Sequence, residues 1–219
     1  MSVLRTVTLH NAAGATLITL QARDNDASVD TPTRNYDPVQ PPGSTIQGVF
    51  GTGLHQVGVL ERDFAICNMT GFASAYHAKA ALERALMSAT SVRTSGWELP
   101  LAAPIGVTEW QHLLVGLRAR LRLVPSSAYW RDPTGTKAGM GVQNGQNVSR
   151  MSGATFASTD VGRLLVWEYD SGATFAEAYI TAFTSSEAVV VDLNQDVGFV
   201  ESGRASVAFT VYDAVTGIL

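Results

Sequence analysis

Three arginines at every second position form the most regular set of charged side chains in the sequence: Arg118, Arg120 and Arg122. The positions around them are apolar, namely Leu117, Ala119, Leu121 and Leu123. Successive side chains of a β-strand point to opposite faces, so this pattern predicts one strand with an apolar face and a row of guanidinium groups. Such a row could line a solvated face, or it could meet an acidic surface on a neighbouring subunit.

A second charged set, Asp24, Asp26 and Asp30, has the spacing of the first ligands in a calcium-binding loop. In such a loop alternating oxygen atoms surround the cation, with glycine at the sixth position and glutamate at the twelfth. Val29 and Asn35 occupy those two positions here. We therefore interpret the three aspartates as a solvated acidic turn, and we predict no metal site.

The sequence gives no positive case for an enzyme. Its single cysteine, Cys67, could act as a nucleophile with a distant histidine, but no glycine-rich turn or local motif accompanies it. The histidines are far apart, none has the spacing of metal ligands, and no phosphate-binding glycine motif is present. We predict that the protein is not an enzyme and that it has no cofactor.

Aromatic side chains offer a different kind of chemistry, because their rings stack on sugars as well as filling cores and interfaces. Trp167 and Tyr169 alternate along one predicted strand and are the candidate stacking platform for a carbohydrate. A pair of exposed rings would favour a glycan-binding function. Buried rings would favour a role in the core.

Composition limits the class of protein. Of the 219 residues 16% are charged, below the usual share of about 25%, which suggests that other subunits cover part of the surface. A net charge of −4 gives no basic field for nucleic acid. No apolar run approaches the roughly 20 residues of a membrane span, and the N-terminus lacks the apolar core of a signal peptide. We expect a soluble protein that is synthesised in a cytoplasm.

The elements that would position these residues are mostly strands. Runs 3–9 and 15–22 predict a hairpin, and runs 45–50 and 54–66 predict further strands. Residues 72–89 carry apolar side chains at steps of three and four, which predicts the one α-helix. Together with the arginine strand, these elements predict an N-terminal β-sandwich or barrel-like domain with one helix, residues 1–130. The segment 24–44, with four prolines, predicts a long loop or arm.

The composition of the sequence changes after Trp130. Residues 131–147 are rich in glycine and polar side chains, and we interpret them as a loop at a domain boundary. Four β-prone runs follow, at 162–169, 175–183, 188–193 and 205–214. They predict a second, small all-β domain, residues 131–219, so that the chain as a whole is mainly β.

This order of features resembles that of the distal tail proteins of long-tailed, siphovirus-type bacteriophages. In that family the strand before the helix often carries an arginine-centred run like Leu60-Glu61-Arg62-Asp63-Phe64, and the domain ends in a proline-aromatic segment like Pro125-Ser126-Ser127-Ala128-Tyr129-Trp130. Here Ala128 stands where the family usually has proline. The second half, with Asp160-Val161-Gly162-Arg163 and Ile180-Thr181-Ala182-Phe183, resembles a short β module of phage tail and adhesion proteins.

The resemblance implies a structural protein of the virion, located at the tail tip or baseplate. It implies a homohexameric ring that joins the tail tube protein to the tail hub and adhesion proteins. In such a ring we expect Arg118, Arg120 and Arg122 to form a subunit contact or to face the lumen, with the acidic segment around Asp24, Asp26 and Asp30 as a candidate partner. The alternative is a carbohydrate-binding or host-adhesion module of a phage tail that uses Trp167 and Tyr169.

Overall fold

The fold was analysed in a computed structural model of the chain. It describes residues 4–23, 37–39, 48–50, 60–66, 74–101, 106–113, 116–123, 125–127, 129–169, 174–192 and 204–215. The chain divides into two compact units: the first comprises Met1–Pro32, Val57–Pro133 and Val215–Leu219, and the second comprises Thr33–Gln56 and Thr134–Ala214.

Most described residues lie in β-strands. The strands, in chain order, are β1 (Leu4–His10), β2 (Thr16–Arg23), β3 (Asp37–Val39), β4 (Gly48–Phe50), β5 (Leu60–Ile66), β6 (Ser91–Thr94), β7 (Trp97–Pro100), β8 (Gly106–Leu113), β9 (Gly116–Leu123), β10 (Trp130–Arg131), β11 (Lys137–Asn144), β12 (Asn147–Gly153), β13 (Leu164–Tyr169), β14 (Thr174–Ser185), β15 (Ala188–Val191), β16 (Arg204–Tyr212) and β17 (Ala214–Val215). The described chain has one α-helix, α1 (Ala75–Ser88), and a short 3-10 helix, Ser158–Asp160. The prediction of a mainly β chain with one helix is confirmed.

A nine-stranded sheet forms the first unit, in the order β17-β10-β7-β6-β1-β2-β5-β9-β8. Every strand pairing for which a register is known is antiparallel. The predicted N-terminal hairpin is confirmed as β1 and β2, and the arginine strand is confirmed as β9. Because β17 pairs into this sheet, the C-terminal end of the described chain belongs to the first unit. The first unit is therefore discontinuous in sequence, whereas the predicted domains, 1–130 and 131–219, are each continuous.

Helix α1 covers the apolar face of this sheet. Its N-cap is Ser74, whose hydroxyl accepts a hydrogen bond from the backbone N–H of His77 at 3.4 Å. The buried side chains of the helix recur at steps of four, three and one, at Ala78, Leu82, Ala85 and Leu86. This stripe packs against β1, β2 and β9, so the helix is held mainly by burial of its apolar face.

Strand β9 contributes the most continuous part of that core. Leu117, Ala119, Leu121 and Leu123 are at most 1% exposed. Arg120 and Arg122, on the opposite face, are exposed, and Arg118 is partly exposed. The predicted alternation is therefore confirmed.

The second unit contains a closed six-stranded barrel in the order β11-β12-β15-β14-β13-β16, and the two-stranded sheet β3-β4 belongs to the same unit. Its core is built by side chains from every strand of the barrel except β11, including Val148, Trp167, Ile180, Val189 and Phe209. Phe156 stacks on Phe209 with ring centroids 5.3 Å apart.

The interpretation of residues 131–147 as a loop is wrong, because β11 occupies much of that segment. Its glycines allow close packing rather than a turn: a Cβ atom on Gly139 would lie 2.5 Å from the carbonyl oxygen of Ser152 and 2.8 Å from the ring of Phe209. Only glycine fits so close to a neighbouring strand and a core ring. Composition alone had indicated a loop, whereas packing in the barrel requires these glycines within a strand.

The two faces of β9 provide a direct test of this description. We predict that Leu121→Ala lowers the free energy of unfolding by about 2–5 kcal/mol, because it removes a fully buried side chain and leaves a cavity. Arg122→Ala, at the next residue, should change it by less than about 1 kcal/mol, because the side chain is exposed. Urea unfolding followed by circular dichroism measures both values, and equal losses would contradict the assignment of the two faces.

Candidate functional site

The arginine row lies between two strands that carry acidic residues. On β5, Glu61 is the register partner of Arg122 and Asp63 is the register partner of Arg120. On β8, Glu109 is the register partner of Arg120. Directly opposed residues of antiparallel strands share a face, and each cross-strand pair of opposite charges contributes roughly 0.2–1 kcal/mol.

Counter-charges for the row are therefore available within its own sheet. Arg118 differs from the other two arginines, because its register partners are Ala65 and Gln111, neither of which is acidic. The sequence carries a local signal for these acidic partners, because Glu61 and Asp63 are two residues apart, as successive arginines of the row are. Which strand pairs with β9 is a long-range property, so that signal could not be assigned from sequence.

The other predicted members of the interface have no described position. Asp24, Asp26 and Asp30 lie outside the described residues, as does Cys67. Their pairing with the arginine row therefore stays a prediction. In the described part of the chain no group of three or more histidine, cysteine, aspartate or glutamate side chains could hold a metal ion.

A second set of charged residues lies near the other end of the same sheet. Arg93 on β6 donates a hydrogen bond from Nη2 to Oε2 of Glu98 on β7 at 3.4 Å. Glu98 is in turn the register partner of Arg131 on β10. Between these strands and the β5-β9-β8 set lie β1 and β2, where Thr8 pairs with Thr19 in register. Charged residues thus occupy strands towards both ends of this sheet.

The prediction that Trp167 stacks on a ligand is corrected by the structure. The Trp167 side chain is 0% exposed and belongs to the barrel core, because β13 turns it towards the interior that the closed sheet encloses. Tyr169 lies at the end of β13, and its side chain is outside the described set. The burial of Trp167 therefore favours a role in the core, and its ring is not available to stack on a sugar.

Sequence reasoning missed an ion-pair network around Asp160, which is 0% exposed. Its Oδ2 accepts hydrogen bonds from Nζ of Lys137 at 2.6 Å and from the backbone N–H of Ala157 at 2.8 Å. Its Oδ1 accepts from Nη1 of Arg163 at 3.2 Å. Arg163 also donates from Nε and Nη2 to the two carboxylate oxygens of Asp213, at 2.8 and 3.0 Å. The Asp160–Arg163 spacing, quoted above only as part of a resemblance, was the one local signal.

This network joins the places where the chain enters and leaves the barrel. Lys137 is the first residue of β11, Arg163 directly precedes β13, and Asp213 directly follows β16. Thr136 adds two contacts at the same end, because its backbone N–H and its hydroxyl both donate to the carbonyl oxygen of Val211. The arrangement holds strand ends together.

The charges of the network affect the pKa values of its members. Burial raises the pKa of Asp160, but the hydrogen bonds from Lys137, Ala157 and Arg163 and the charge of Lys137 outweigh burial and hold the pKa below its usual value of 3.8. The hydrogen bond to Asp213 raises the pKa of Arg163, although burial opposes this shift. Elsewhere in the barrel, burial raises the pKa of Tyr179, and the neighbouring Glu177 carboxylate raises it further.

Comparison with known proteins adds one similar structure. No protein-family model matches the chain, and no curated protein is significantly similar to it. The chain is similar to the crystal structure of the SPP1 Dit (gp 19.1) protein, described as a paradigm of the hub adsorption apparatus in phages that infect Gram-positive bacteria. The sequences are 10% identical, the match covers 95% of this chain and 99% of that chain, and the TM-score is 0.40. At this TM-score no inference is based on the likeness.

Within the described residues, no helix combines the length and the apolar character needed to cross a membrane.

Neutralising Asp160 tests the role of the network. We predict that Asp160→Asn lowers the free energy of unfolding by about 2–4 kcal/mol, because it leaves Lys137 and Arg163 without their buried counter-charge. Asp213→Asn is the matched control: its side chain is 52% exposed, so the loss should be about 1 kcal/mol or less. Urea unfolding at pH 7 gives both values, and a smaller loss for Asp160→Asn than for Asp213→Asn would contradict the prediction.

The same carboxylate predicts a pH dependence. Because the pKa of Asp160 in the folded protein is below 3.8, its contribution to stability is complete well above that pH and is lost as pH falls below it. The free energy of unfolding of the wild type should therefore fall more steeply between about pH 5 and pH 3 than that of Asp160→Asn. Unfolding curves at several pH values measure the two slopes. Parallel slopes would show that other carboxylates account for the acid dependence.

Proposed function

We propose that this protein is a structural subunit of a phage virion, located at the tail tip, where copies form a ring between the tail tube and the hub and adhesion proteins. The main support for the proposal is that the segments that carry the sequence resemblance are grouped in one folded unit. The strand Leu60–Ile66 pairs along its whole length with β9, helix α1 covers the same core, and Trp130 packs into it. The motifs thus belong to one folded unit.

The shape of the sheet supports a ring of identical subunits. A ring requires a head-to-tail contact, in which two different surfaces of the same chain are complementary. The nine-stranded sheet offers unlike surfaces, because one of its faces carries the arginine row on β9 and the other is covered by α1. Its β5-β9-β8 end carries the arginine row. A low overall share of charged residues, 16%, agrees with a surface that is partly covered by neighbours.

Within this ring we assign Arg118, Arg120 and Arg122 to a subunit contact. Arg118 is partly buried, whereas Arg120 and Arg122 are exposed, and all three lie on the face of β9 opposite the core. The acidic segment with Asp24, Asp26 and Asp30 is the candidate partner on the neighbouring subunit. Removing one partner of a buried charge pair costs about 2–5 kcal/mol, whereas a pair at an exposed rim contributes little. The contact is therefore testable by truncation.

Light scattering on a size-exclusion column tests the ring. At micromolar concentration we expect a mass of about six times 23.3 kDa, and we expect it to fall at high salt, because salt screens exposed charge pairs. A mass of 23.3 kDa at every concentration and salt level would contradict self-assembly of the free protein.

A double variant tests the arginines separately from the ring. We predict that Arg118→Ala with Arg120→Ala shifts the mass from the hexamer towards the monomer. The control, Arg84→Ala with Arg150→Ala, removes the same charge from α1 and from β12 and should leave the hexamer intact. A hexamer that survives both double variants would support the ring and contradict the arginine contact.

A further inference from the structure

We propose that the outer edge of β8 binds an extended segment of another protein by strand addition, and that this segment carries a basic residue opposite Glu109 with apolar residues on either side of it. The inference is independent of the proposed function, because it rests on the edge of one sheet and on its charges. The partner is identified by its chemistry alone.

The first observation is that β8 is an edge strand in the part of the chain that the structure describes. It is the last strand of the nine-stranded sheet, and among the described residues it pairs with β9 only. No backbone hydrogen bond joins residues 106–113 to the described residues outside this pairing. An edge of this kind presents a row of backbone N–H and C=O groups, which is the surface that strand addition uses.

The second observation is the length and composition of this edge. The other terminal strand, β17, has two residues, β3 and β4 have three each, and the barrel is closed. Strand β8 has eight residues, and its sequence, GVTEWQHL, includes no lysine or proline to protect the edge. Its register irregularity lies between Val107 and Glu109, so Glu109 to Leu113 pair regularly with β9. Five residues therefore offer a regular template.

The third observation is the order of charges across the strands. Asp63, Arg120 and Glu109 are successive register partners on β5, β9 and β8, so the signs alternate from negative to positive to negative. Glu109 is exposed, and it forms no hydrogen bond or ion pair with any residue that the structure describes. The next strand would continue the alternation with a positive charge, which a lysine or arginine opposite Glu109 supplies.

The opposite face of β8 determines which residues should flank the basic residue in the partner segment. Val107 and Trp110 are partly buried and pack against the core of the first unit. Nζ of Lys79 lies 4.7 Å from the centre of a Trp110 ring, on the helix side of the sheet. An added strand would extend this face, and apolar side chains on it would bury the exposed parts of Val107 and Trp110. The expected partner pattern is apolar, basic, apolar.

The same pattern favours another protein over a second copy of this chain. The open-edged strands in the described part of the chain, apart from β8, are β3, β4 and β17, with the sequences DPV, GVF and AV. None of them contains a basic residue. Pairing of β8 with β8 of a second copy would bring no positive charge to Glu109 either, because GVTEWQHL contains neither lysine nor arginine. No described edge strand of a second copy therefore brings a lysine or arginine to Glu109, which favours a different polypeptide as the partner.

Two synthetic peptides and a charge reversal test the proposal. Both peptides have nine residues of alternating valine and threonine, with a central arginine in one and a central glutamate in the other. Fluorescence anisotropy with the full chain should show that the arginine peptide binds roughly fivefold more tightly than the glutamate peptide. Glu109→Arg should reverse that preference. Glu187→Arg, which changes the same charge on the barrel, should leave it as in the wild type.

Two results would overturn the proposal. One is that neither peptide binds, or that Glu109→Arg leaves the preference unchanged while its circular dichroism spectrum shows an intact fold. The other is that Glu109→Arg changes the mass of the protein by light scattering without any peptide, which would assign the edge to a second copy. A normal hexamer together with a reversed peptide preference would support this inference and the proposed ring separately.

Discussion

Burial of one face of β9 is the interaction on which the first unit depends. Its four apolar side chains, from Leu117 to Leu123, lie in the core below α1, and β5 and β8 pair on either side of them. The face is continuous because a strand repeats every two residues, so one buried face requires every second side chain to be apolar. A shift of one residue in register would bring the arginines into the core at a prohibitive cost in desolvation. The same alternation that fills the core therefore fixes the arginines on the outside.

The same burial determines which residues lie on the outer face of the sheet. The arginines are ordered by the strand that carries them, and their acidic register partners lie on the strands to either side. On this face Arg120 and Arg122 have acidic register partners, whereas Glu109 lies on the last strand of the sheet and has no strand beyond it in the described structure. A face with regularly spaced charges is suited to contacts with other chains that carry complementary charges.

The barrel is stabilised in a different way. Closure leaves no free edge, and its core of aliphatic side chains and large rings includes Trp167 and Phe209. The first strand of the barrel, β11, and its last strand, β16, have ends that must be held to the rest of the barrel. Asp160 supplies this through Lys137, Arg163 and, beyond Arg163, Asp213. A buried carboxylate is tolerated there because two cations and a backbone N–H compensate its charge.

The sequence by itself determined the features that follow from a repeat among neighbouring residues. These are the two faces of β9, the one helix, the N-terminal hairpin and the strands of the second half, because side-chain alternation and helical spacing are properties of neighbouring residues. Only the tertiary structure decided which strands meet. The acidic partners of the arginines, the barrel closure that buries Trp167, the glycines that let β11 approach Phe209, and the ion pairs of Asp160 all depend on residues far apart in the chain. Pairing at that distance is chosen by the burial and register of the whole sheet, which no local pattern encodes.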